Sequence, residues 1–116
     1  LFIADARLDA IETRVRNAGA EVVALLRSGS AYYSPAASAL EMAESYLKDS
    51  KKLLACSAFL RGEYGVHNLY AGVPVIIGNA GVERIVELKL TSEEQAAFSQ
   101  SIRHIKELWE KVSLAC

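Results

Sequence analysis

The sequence predicts an α+β domain, helices packed on an antiparallel sheet, and three observations predict it. Apolar residues recur at helical spacing near both ends of the chain. Between them lie two short apolar runs, and the second leads through Gly78-Asn79-Ala80-Gly81 into an alternating stretch, which is the pattern of a hairpin. Helices and strands do not alternate along the chain and no G-x-G-x-x-G loop is present, so a dinucleotide-binding (Rossmann) half is absent from these residues.

The first helix follows Asp5, a residue suited to an N-cap. Leu8, Ile11, Val15, Ala18, Val22, Leu25 and Leu26 form its stripe; Gly19 is expected to interrupt it, and Ser28-Gly29-Ser30 ends it. A second helix is predicted from Ser34-Pro35, with Ser34 as cap and Pro35 at the first helical position, where a missing N–H needs no partner. Lys48-Asp49-Ser50 closes it. Leu53 to Leu60 is apolar on both faces and reads as a strand buried on both sides, with a short buried helix as the alternative its alanines and leucines leave open. Gly62 to Gly72 reads as an irregular connection, Val73 to Ile77 as a β-branched strand, and Val82 to Leu88 as the returning arm of the hairpin. Thr91-Ser92-Glu93-Glu94 has the form of a capping box, in which the first and last side chains each satisfy the other's free N–H. The last helix then carries Phe98, Ile102, Ile105, Trp109 and Val112 on one stripe.

At 116 residues the chain has the length of one domain, so residues 1–116 are read as a single unit with one modest core. The formal net charge of −1, with acids and bases interspersed, excludes the basic footprint of a nucleic-acid binder and the polybasic patch of a membrane-surface protein. Apolar runs fall short of a membrane span. Two cysteines without metal-ligand spacing, Cys56 in an apolar run and Cys116 at the end, fit free thiols in a reducing, cytoplasmic compartment. The chain starts inside an apolar phrase, Leu1-Phe2-Ile3-Ala4-Asp5, with no initiator Met and no signal-peptide pattern, which reads as a cut.

The candidate chemistry is sparse. His67, in a predicted loop with Tyr64, Gly65 and Asn68, has no obvious orienting carboxylate and reads as a solvated side chain; His104 lies off the apolar stripe of the last helix. Ser28, Ser30 and Ser34 flank Gly29 without the G-x-S-x-G of a nucleophile elbow, so capping and turn roles are the default. No His/Cys/Asp/Glu set has metal-ligand spacing, and no metal is expected. Of Tyr32 and Tyr33, one is expected to pack inward and the other to face a pocket or partner. Glu41, Glu44 and Lys48 read as a solvated helical face with one i,i+4 pair. The strongest site reading is a pocket over residues 29–35, where the start of the second helix favours an anion such as a carboxylate substrate.

Three stretches resemble the lactate/malate dehydrogenase family, and most of all its lactate-dehydrogenase-like malate dehydrogenases. They are LDAIETRVRNAGAE near the start, GAEVVALLRSGSAYYSPAASALEMAESYLKD from Gly19 to Asp49, and GEYGVHNLYAGVPVIIGNAGVERIVELKLTSEEQAAFSQSI from Gly62 to Ile102. The resemblance covers nearly the whole chain and is to the later part of the family's second, catalytic half. It implies an NAD-dependent enzyme interconverting a 2-hydroxy acid and a 2-keto acid, usually as a dimer or tetramer. It also implies that the glycine-rich loop, the substrate arginines and the catalytic histidine all lie upstream of Leu1, so no catalytic residue is expected in this segment and the segment alone is expected to be inactive. Neither His67 nor His104 matches the catalytic histidine. Ser30 and Ala31 are similar in position to the family's substrate-pocket wall, Ala31 standing where lactate enzymes carry a threonine, and Pro35 to a position touching the nicotinamide. The SGSAYYSPAAS stretch tilts the reading to malate dehydrogenase; a lactate dehydrogenase segment and a free-standing non-catalytic interaction domain are the alternatives. The resemblance implies no nucleic-acid or membrane partner.

Overall fold

The computed structural model describes residues 3–113. It shows an α+β chain of three α-helices and one three-stranded antiparallel sheet, ordered α1 (Asp5–Leu26), α2 (Tyr33–Leu47), β1 (Lys52–Arg61), β2 (His67–Gly78), β3 (Gly81–Ile85) and α3 (Ser92–Ser113). The chain divides into two compact units, Leu1–Glu41 and Met42–Cys116. None of the described helices is long and apolar enough to cross a membrane.

In the first unit α1 runs unbroken through Gly19, where an added Cβ would meet open space. Its N-cap is Ala4, without a side-chain cap hydrogen bond; Asp5 is the first helical residue and contributes charge to the positive end of the helix instead. The helix ends because Arg27 turns left-handed (φ 60°) and donates its N–H to the Val23 carbonyl at 3.2 Å. Leu8, Ile11, Val15 and Leu25 of the predicted stripe are exposed, while Val22 and Leu26 are half-buried.

The second unit holds the core. Leu60, Leu69, Ala71, Val73, Val75 and Ile77 are buried on one face of the sheet, with Ile102 of α3 against them and Met42 of α2 packed at the margin. β1 and β2 pair from Lys52↔Ile77 to Leu60↔Leu69, and β3 returns along Val75 to Gly78. β2 begins at His67, so the predicted irregular stretch Gly62–Gly72 is for the most part strand. The alternation Leu69, Ala71, Val73, Val75, Ile77 runs straight through it; Asn68, Gly72 and Pro74 obscure it because they occupy the opposite face. Pro74 is tolerated in this central strand because its partner is served otherwise: the Pro74 carbonyl accepts the Val86 N–H at 2.8 Å, one residue past the end of β3, and the Val86 carbonyl, which an N–H at position 74 would face, accepts the Tyr64 hydroxyl at 2.8 Å. β3 itself stops at Ile85, three residues short of the predicted Leu88.

The reading of β1 as buried on both faces is corrected. Leu54, Cys56, Ala58 and Leu60 turn inward, whereas Leu53 is 59 % exposed and Phe59, its ring tilted against that of Tyr70 with centroids 5.2 Å apart, also faces outward. The sequence is apolar on both sides, but this unit covers only one.

Polar fasteners fix the register. The Thr91 box forms as the sequence requires: Thr91 donates its N–H to Glu94 at 2.7 Å and its hydroxyl accepts the Glu94 N–H at 3.3 Å. Tyr64, left-handed at φ 53°, anchors the segment after β3; its hydroxyl donates to the Val86 carbonyl at 2.8 Å and accepts the Leu88 N–H at 2.9 Å, and its own N–H reaches Glu87 at 2.7 Å. Two turns are joined by Asp49, which accepts the Asn79 N–H at 2.8 Å and an ion pair from Lys51 at 3.0 Å; Lys51 continues to Glu83 at 2.7 Å. A Cβ on Gly78 would collide with the carboxylate oxygens of both Asp49 and Glu83, so this cluster needs glycine there.

The Asn79 N–H, followed by Lys51, holds the Asp49 carboxyl below the ordinary aspartate range. A depressed folded-state pKa contributes stability that is present above the unfolded value of about 3.9 and lost as pH falls through the folded value. We therefore expect the wild-type chain to exceed Asp49→Asn in unfolding free energy at pH 6, and the gap to close on acidification below about pH 4. Urea unfolding at stepped pH checks this; a gap that stays constant down to pH 2 would contradict it.

Candidate functional site

Residues 27–36 form a tight link between two helices. After Arg27 the chain passes Gly29 at φ 87°, a backbone that glycine adopts freely. The Ser30 carbonyl then accepts the Tyr32 N–H at 3.0 Å, and the Tyr32 carbonyl accepts the Ala36 N–H at 3.0 Å as the first bond of α2. The helix thus starts at Tyr33, one residue before the predicted cap. Ser34 sits inside the first turn, and Pro35 is third in the helix; its missing N–H is still among those that any helix start leaves without an intrahelical partner.

The three site residues named from sequence therefore share one short stretch. Ser30 and Pro35 are exposed and Ala31 is half-buried between them. Tyr32 and Tyr33 are both outward, 55 % and 68 % exposed, with ring centroids 4.6 Å apart; neither is buried, as one was expected to be. The stretch presents a hydroxyl, a small side chain, a proline ring and the positive end of a 15-residue helix. That arrangement can offer a hydroxyl and the free N–H groups of a helix start to an anion.

The other candidates lie elsewhere. His67 is exposed and opens β2; the nearby Glu63 carboxylate is held below its ordinary range chiefly because it accepts the Arg61 N–H at 2.6 Å, with His67 a minor contributor. His104 is exposed on α3. Glu44 and Lys48 make the expected i,i+4 ion pair. Cys56 is half-buried with its sulfur 3.3 Å from that of Met42, and burial pushes its thiol pKa up, away from reactivity. Cys116 lies outside the described residues. Among the described residues no group of three His, Cys, Asp or Glu side chains is placed to hold a metal ion.

Sequence reasoning missed Ser45. It is the one fully buried polar side chain among the described residues, donating to the Ile77 carbonyl at 2.7 Å and accepting the Lys52 N–H at 3.2 Å. A serine inside an amphipathic helix reads as surface; its position three residues after Met42, on the same face, is the only signal.

An apolar groove of about 410 Å³ lies between the outward pair Phe59 and Tyr70 and the end of α3, where Leu108, Trp109 and Val112 continue the helical stripe. Trp109 is 67 % exposed, so the second half of the predicted stripe has no cover among the described residues of this unit.

Comparison with known proteins places these features. The family pattern described as lactate/malate dehydrogenase, alpha/beta C-terminal domain matches residues 2–114, across both units. A malate dehydrogenase from Cryptosporidium parvum is similar in structure, with a TM-score of 0.89 at 44 % identity over 96 % of this chain and 35 % of its own. A lactate dehydrogenase from Eimeria maxima, solved with NADH and oxamate, gives 0.91 at 43 % identity over 97 % of this chain and 35 % of its own. A malate dehydrogenase from Salinibacter ruber gives 0.90 at 41 % identity over 97 % of this chain and 36 % of its own. The chain thus spans about a third of the length of the proteins it matches. Its sequence, its α+β fold and these matches agree that it belongs to the lactate/malate dehydrogenase family, as that family's C-terminal α/β domain.

Proposed function

We propose that this chain is the C-terminal part of an NAD-dependent malate dehydrogenase, interconverting malate and oxaloacetate by hydride transfer. The observation that carries this reading is the family match over residues 2–114, at 41–44 % identity to malate and lactate dehydrogenases alike. What tilts it to malate is Ser30-Ala31 in the stretch SGSAYYSPAAS, where a lactate enzyme is expected to carry a threonine at position 31. The nicotinamide cofactor, when bound, supplies or accepts the hydride. Within this chain Pro35 is the residue to meet the nicotinamide face, and Ser30 and Ala31 are the residues to line the keto-acid pocket; the exposure of Ser30 and Pro35 within one short stretch supports that use. Proton transfer and the bidentate grip on the carboxylates belong to residues outside this chain.

The apolar surfaces support a missing half. Leu53, Tyr70, Leu108, Trp109 and Val112 are exposed, an arrangement that a stable domain covers with further chain or a partner. The occupants are the upstream NAD-binding half and a second subunit of a homo-oligomer, the whole acting in the cytoplasm as one catalytic domain joined to one nucleotide-binding domain.

The intact mass of the native gene product tests whether the chain is a segment. A product well above 12.6 kDa is expected. A native product of 12.6 kDa would contradict the reading and favour a free-standing, non-catalytic interaction domain.

A further inference from the structure

We draw no further inference here: the strongest candidate, the shallow groove on the outward face of the sheet lined by Arg61, Arg84, Phe59 and Tyr70, carries exposed guanidinium groups on an unpartnered surface, and nothing in the structure shows what covers it.

Discussion

Leu60→Ala is expected to lower the unfolding free energy of this chain by about 2–5 kcal/mol. Leu60 is fully buried, faces Leu69 across the β1–β2 ladder and lies in the cluster that joins Val66, Leu69 and Ile102. Removing three methylene-sized groups there loses their transfer free energy and leaves a cavity, because a close-packed core collapses only partly around the lost atoms. Against a total stability of about 5–15 kcal/mol, that loss is large. Trp109→Ala serves as the internal comparison. Trp109 is the bigger side chain, but it is 67 % exposed, so its removal from the isolated chain is expected to change stability by no more than about 0.5 kcal/mol. Urea unfolding of both variants decides the matter. Equal losses, or a larger one at Trp109, would mean that the core is not where the structure puts it.

The second large effect is expected at Ser45. Ser45→Ala removes a hydroxyl that is fully buried and leaves the Lys52 N–H and one side of the Ile77 carbonyl without that partner. A buried polar group that loses a partner costs about 1–3 kcal/mol, a cost that falls on the buried Ile77 carbonyl more than on the part-buried Lys52 N–H, and the lost volume is small. The expected loss is about 1–3 kcal/mol, with the amide protons of Lys52 and its neighbours exchanging faster than in the wild type. Ser57→Ala, on the exposed face of β1, is the control and is expected to be nearly neutral. A Ser45→Ala loss as small as that of Ser57→Ala would show that water replaces the hydroxyl.

Most elements were legible because their signals are local. The capping box at Thr91 and Glu94, the Gly78–Gly81 turn and the helical stripes of α1 and α3 depend on residues a few positions apart. The helix starts were displaced by one residue at α1 and by two at α2, since Asp5 and Ser34 suit a cap by type but the backbone begins its turn at other residues. The first half of β2 was hidden by residues that usually punctuate loops, and the period of two beneath them was the better guide. Ser45, the Asp49–Lys51–Glu83 cluster and the Tyr64 anchor could not be read at all, because each joins segments 7 to 32 residues apart. Burial of β1 on one face only is a property of what packs against the sheet, and an apolar sequence on both faces does not say which cover is present.

The candidate site at residues 29–35 was read from the start of the second helix, and the substrate and cofactor roles of Ser30, Ala31 and Pro35 only from the resemblance. Residues 29–35 contain no pattern that demands chemistry, and their geometry is that of a helix start any chain might build. The chemistry proposed for them comes from the family, so the most direct test is enzymatic: oxidation of NADH by the purified native gene product, with oxaloacetate and then pyruvate as acceptor, beside the 116-residue chain alone. The account predicts turnover by the native product with oxaloacetate well ahead of pyruvate, and none by the chain alone. Preference for pyruvate would make it a lactate dehydrogenase, and a native product inert toward both acids would contradict the proposed activity outright.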